Sequence, residues 1–126
     1  MSEPGCRVPL RLNLAPRART DIREALLWSN ERFGERAAIR YRELIRQALH
    51  DIADDPERPG SKPRSDLGRG IRTYHLFFSR GRVRDVAGAV NAPRHPVVYR
   101  RRGERLIDVV RILHDSRDLA RHLPDP

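Results

Sequence analysis

The sequence predicts an α+β domain in the order β-α-α-β-β-β, with a helix hairpin packed on an antiparallel sheet. Three observations lead there. An opening segment alternates apolar and polar residues. Two consecutive segments then repeat apolar residues at helical spacing, with only a short turn between them. The second half holds three runs rich in β-branched and aromatic residues, separated by turn formers. At 126 residues the chain is sized for one core.

The elements follow in order. Residues 1–7 read as a flexible tail, and residues 8–124 as the domain. From Val8 to Leu14, Val8, Leu10, Leu12 and Leu14 alternate with Pro9, Arg11 and Asn13, the pattern of a strand with one buried face. Pro9 predicts an edge position, because proline cannot donate to a ladder. Pro16 suits a first helical turn. Ile22, Ala25, Leu26, Ser29 and Phe33 follow at helical spacing with Trp28 on the flank, and Gly34 is placed to cap the helix. A second helix carries Ala38, Tyr41, Ile45, Ala48 and Ile52, widened by Leu44 and Leu49. It stops at Asp55-Pro56, since the residue before proline resists helical dihedrals.

Residues 57–70 are rich in Pro, Gly, Ser and charge, and predict a long surface loop. Ile71 to Phe78 is a strand by propensity. Ser79 to Pro96 is basic and turn-rich, an insertion or an extended hairpin connection. Val97-Val98-Tyr99 is a short strand, Arg101 to Glu104 a turn, and Leu106 to Leu113 the most apolar strand. The last of these is expected to be interior and buried on both faces. Asp115 to Leu123 is read as a short final helix, stopped by Pro124. The last three strands form a meander, with the first strand beside the final one.

Composition narrows the function. The longest apolar stretches, Leu106-Ile107 and Ile112-Leu113, are interrupted by Asp108 and Arg111, far short of the roughly 20 apolar residues of a spanning helix. Met1 to Cys6 lacks a signal-peptide pattern, and the single cysteine forms no internal disulfide, so a reducing, cytoplasmic setting is expected. Twenty-six basic residues against 17 acidic ones give a net charge of +9, and Lys62 is the only lysine. A GC-rich genome accounts for arginine over lysine but not for the excess, which points to an acidic partner: nucleic acid or an acidic protein segment. There is no CxxC, HExxH, phosphate-loop or Gly-x-Ser-x-Gly motif, so no metal and no cofactor are expected.

Three patches merit attention. Arg111 stands in an apolar strand, where an unpaired guanidinium is very costly. It must reach either a ligand-facing groove or an internal carboxylate such as Asp118 or Asp108. The basic set Arg80, Arg82, Arg84, Arg94 and Arg100 to Arg102 is a partner surface or, slightly favoured, a solvated loop. Tyr41 and Trp28 on the helices read as core packing rather than a site.

The strand from Ile107 to His114, running into Arg117-Asp118 and His122-Leu123, resembles the C-terminal signature of ParE-type toxins of the RelE/ParE toxin–antitoxin superfamily. Ala15-Pro16-x-Ala18, Ala38 with Tyr41, Pro59-Gly60, and Gly70-Ile71-Arg72 agree with it upstream. Each piece is common by itself; their order and spacing from Val8 to Leu123 make the resemblance specific. The stretch Ser79 to Pro96 departs from it, being longer than the usual connection.

The resemblance implies a RelE/ParE-like fold and a toxin that is neutralised by a cognate antitoxin with an acidic C-terminal segment. The ParE branch traps DNA gyrase by binding and needs no catalytic residue. The alternative is ribosome-dependent mRNA cleavage of the RelE type, for which Arg72, Arg111 and His114 supply candidate groups. That set lacks a terminal tyrosine: Tyr41, Tyr74 and Tyr99 all lie upstream of the Arg121-His122-Leu123 stretch. Arg72, Arg111, His114 and Arg117 are therefore read as residues that bind the target or the antitoxin. No membrane contact is expected, and no sequence-specific nucleic-acid binding by the toxin alone.

Overall fold

The computed structural model describes residues 9–83 and 92–123. The expected tail, Cys6, Arg84 and Pro124 lie outside the described residues. Strand β1 (Arg11–Leu14) leads into helices α1 (Pro16–Phe33) and α2 (Glu35–Asp54). Strands β2 (Ser61–Pro63), β3 (Ile71–His75), β4 (Pro96–Arg102) and β5 (Leu106–Ile112) follow, with short 3-10 helices at Leu76–Arg82 and Leu119–His122. The α+β architecture is the one expected: two helices packed on one sheet, ordered β1-β5-β4-β3-β2. β1 lies at the edge and runs parallel to β5, and the other pairs are antiparallel.

The helix hairpin forms where the apolar spacing put it. Pro16 occupies the first turn of α1, and Gly34, at φ +94°, ends α1 and opens α2 in a single residue. Asp55 is extended ahead of Pro56 and closes α2. The core gathers Ala18 and Ala25 of α1, Tyr41, Leu44, Ile45, Ala48 and Ile52 of α2, and Tyr74, Val97, Tyr99, Ile107, Val109 and Ile112 of the sheet. Burying the larger of these side chains contributes about 1.5–3 kcal/mol apiece.

Several expectations are corrected. The stretch 57–70 is not all loop: Ser61 to Pro63 adds a fifth, outermost strand opposite Tyr74 to Arg72. Proline is compatible with that edge, and the strand is too short to show a period. β3 ends at His75 rather than Phe78. The His75 ring accepts the Phe77 amide and turns the chain into a 3-10 helix, leaving Phe77 and Phe78 partly exposed. β4 runs on to Arg102, within the segment read as a turn, because Arg102 pairs across the sheet with Asp108 at 3.0 Å. β5 is interior, but its burial alternates: Ile107 and Val109 are buried while Leu106, Asp108 and Val110 are half-buried, so one face alone is fully covered. The final helix shrinks to Leu119–His122, started by the Asp118 carboxylate accepting the Ala120 amide.

In α1 the buried line is Ala18, Asp21, Ala25 and Ser29, one step round from the predicted stripe, and Phe33 is exposed. α2 likewise buries an unpredicted carboxylate. Asp51 accepts from Ser79 Oγ at 2.6 Å and Gln47 Nε2 at 2.8 Å, with Arg82 Nε at 3.2 Å, which ties the segment after β3 to the helix.

Candidate functional site

β1 stops pairing at Leu14 opposite Val109, while β5 runs on to Ile112, so α1 lies beside the end of β5 where β1 no longer does. Asp21, in the second turn of α1, occupies that place. Its carboxylate accepts the Ile112 amide at 2.9 Å and takes Arg111 bidentately, Nε at 2.8 Å and Nη2 at 2.9 Å. The third guanidinium nitrogen, Nη1, donates to the His122 carbonyl at 2.8 Å. Arg111 is thus an internal ion pair, but its partner is Asp21 and neither Asp118 nor Asp108. Donating these hydrogen bonds to Asp21 holds the Arg111 pKa above its ordinary value.

Asp21 also lines a groove of about 300 Å³ between α1 and the end of β5, together with Glu24, Trp28, Arg32, His95, His114 and Arg117. The Trp28 indole forms one wall. His95 and His114 meet it edge-on at 5.3 and 5.4 Å, and Arg32 lies 6.0 Å from its ring centre. The same indole packs against the buried Tyr41, so Trp28 serves the core and the groove together.

Hydrogen bonds anchor both histidine rings. The Tyr41 hydroxyl accepts the Arg94 amide at 3.0 Å and is hydrogen-bonded to His95 Nδ1 at 2.5 Å. Burial, aided by neighbouring His114, brings the His95 pKa down to about 4. Burial likewise pushes the Tyr41 hydroxyl well above its usual range. At His114, Nδ1 accepts the Ser116 amide at 3.1 Å, which leaves the proton on Nε2. His95 and Tyr41 are therefore locked neutral near pH 7.

The four predicted site residues separate. His114 and Arg117 share the groove, and Arg111 stands behind it through Asp21. Arg72 is elsewhere: it donates to Ser61 Oγ at 2.8 Å at the β2–β3 corner, 3.9 Å from Glu57, and does not line the groove. The basic set is dispersed. Arg94 pairs with Asp115 at 2.9 Å, Arg101 binds the Gly103 and Glu104 carbonyls, and Arg80 stacks on Phe77 at 4.0 Å. Asp21 and His95 were missed. Asp21 had a signal, a carboxylate in line with the small residues Ala18, Ala25 and Ser29. His95 sits in a turn-rich stretch and had none.

Among the described residues no cluster of three or more His, Cys, Asp or Glu is arranged to hold a metal ion, and no helix is long and apolar enough to cross a membrane. A search of curated proteins finds no match. A solved structure, that of the toxin–antitoxin complex RelBE2 from Mycobacterium tuberculosis, is similar at 19% sequence identity with a TM-score of 0.49, covering 85% of this chain and 99% of that one. The family model of the ParE toxin of the type II toxin–antitoxin system, parDE, matches residues 12–119, and with most of its length so matched this chain belongs to the ParE toxin family.

Proposed function

We propose that this toxin inhibits DNA gyrase by binding it in the cytoplasm, and that a cognate antitoxin with an acidic C-terminal segment neutralises it. One observation carries the choice of gyrase over the ribosome: the groups nominated for RNA cleavage do not converge. Cleavage needs a base at the 2′-hydroxyl, an acid at the leaving oxygen and a cation at the phosphorane. Arg72 sits at the β2–β3 corner, the Arg111 guanidinium is committed to Asp21 and the His122 carbonyl, and of the three only His114 lines the Trp28 groove, beside Asp21, Glu24, Arg32, His95 and Arg117. A binding surface needs no such convergence.

The proposed binding set divides accordingly. His114 and Arg117 are direct contacts, Arg111 positions the chain behind them, and Arg72, about one-fifth exposed, contributes from the far corner. The experiment is a gyrase supercoiling assay with purified toxin, paired with primer extension on ribosome-bound mRNA. Inhibited supercoiling or increased cleaved plasmid, with intact mRNA, is the expected result. Cut mRNA, with cutting reduced about 10²–10⁴-fold by His114→Ala, would establish the RelE-type nuclease instead.

A further inference from the structure

A second groove lies on the far side of the Asp21–Arg111 pair, where β1 turns into α1 beneath the C-terminal segment. It encloses about 590 Å³. Its basic residues are Arg17, Arg111, Arg121 and His122, its apolar ones Ala15, Pro16, Val110 and Leu123, and no carboxylate lines it. The Trp28 groove, by contrast, contains Asp21 and Glu24.

The charge available to a ligand comes from the rim. Arg111 is neutralised by Asp21 in the floor. Arg17 is exposed, and Arg121 is 83% exposed and pairs with the largely exposed Asp118 at 3.6 Å. Such a surface pair is worth little and yields readily to a better partner. Next to the groove, the first turn of α1 holds no acidic residue and no side chain caps it, so the positive end of an 18-residue helix adds to the field.

We infer that this groove docks the acidic segment of the antitoxin, with carboxylates on Arg17 and Arg121 and aliphatic side chains on Pro16, Val110 and Leu123. The inference rests on the antitoxin reading above and gives it a location. The lining favours peptide over nucleic acid. Half of it is aliphatic surface that a phosphodiester backbone cannot fill, and no Phe, Tyr or Trp is present on which a base could stack.

The test uses the full-length toxin and a fluorescein-labelled dodecapeptide of alternating Glu and Leu, by anisotropy at about 50 mM salt. Arg17→Glu with Arg121→Glu reverses two charges in the groove. Arg36→Glu with Arg69→Glu applies the same change of net charge at exposed positions away from it. The groove variant should weaken peptide binding by about tenfold or more, and the control by less than about threefold. Leu123→Asp, which leaves both arginines in place, should weaken it as well. Equal losses in both double variants would mean diffuse attraction to a +9 surface and would overturn the inference. So would a short duplex DNA that binds more tightly than the peptide and is lost with the groove variant. Co-purification with the product of the adjacent gene separates the two levels. An antitoxin that binds wild type and groove variant equally removes the groove assignment alone, whereas a toxin that retains no acidic partner removes the antitoxin reading itself.

Discussion

Arg111 spends its guanidinium inside the protein, with two nitrogens on Asp21 and one on the His122 carbonyl, and the pair is nearly withdrawn from solvent. Arg111→Ala should therefore strand a buried carboxylate and cost about 3–5 kcal/mol, read as a large drop in Tm. Replacing both partners, Asp21→Leu with Arg111→Met, should recover only part of this. The Ile112 amide then loses its acceptor, at about 1–3 kcal/mol. A fully recovered Tm would show that the amide finds another partner. His95 gives a second residue-level prediction. Its pKa in the fold, about 4, is below that of the unfolded chain, near 6.5, because burial disfavours the charged ring. Between those values the unfolded state binds a proton that the native state does not, so stability falls as pH drops from about 6.5 to 4. The loss approaches about 3 kcal/mol. Urea midpoints at pH 7.5 and 5 check this, and His95→Gln should flatten the difference. At this scale the sequence is legible in kind but not in pairing. An arginine in an apolar strand announces a carboxylate, yet the carboxylate lies 90 positions away, while the nearer Asp108 is taken by Arg102 and Asn13.

The helices were legible because their signal is long. Twenty residues of α2 repeat one apolar face, and Pro16, Gly34 and Asp55-Pro56 mark the ends by backbone sterics alone. The outer strand β2 was not, since three residues, Ser61 to Pro63, carry neither a period nor a β-branched side chain. What holds it is tertiary. Ser61 accepts from Arg72, and Gly60 just before it turns the chain at φ +98° with the Phe78 ring seated where a Cβ would stand, 2.6 Å away. Gly60→Ala thus meets both a left-handed backbone and an aromatic ring, and should destabilise by about 1–3 kcal/mol. The two parts separate in a Phe78→Ala background, where the steric share disappears and the backbone share stays. If Gly60→Ala costs the same in both backgrounds, Phe78 is not what confines that turn. The same long-range dependence explains β3 and β4. Their limits are set by the His75 cap and the Arg102–Asp108 pair, and neither is a property of the strand's own composition.

For the molecule as a whole, net charge was plain in the sequence and its distribution was not. A +9 chain predicts an acidic partner but cannot say which arginines are available to it. Folding withdraws Arg111 into its pair with Asp21 and engages the more exposed Arg82, Arg94 and Arg102 with Asp51, Asp115 and Asp108. The rim of the β1–α1 groove keeps Arg17 and Arg121 exposed beside aliphatic surface. Two kinds of contact then contribute to the antitoxin complex, and salt distinguishes them. Exposed charges steer encounter over a Debye length, about 10 Å at 0.1 M and 3 Å at 1 M, so association should slow steeply as salt rises. Aliphatic contacts are not screened, so dissociation should change little. Surface plasmon resonance between about 0.05 and 0.5 M salt should accordingly show the loss of affinity mainly in the association rate, with a complex that survives the highest salt. Duplex DNA, held by phosphate neutralisation alone, should instead lose affinity continuously with log salt and be released. If the antitoxin complex dissociates along the same slope as DNA, its attachment is purely electrostatic and the aliphatic half of the groove plays no part in holding it.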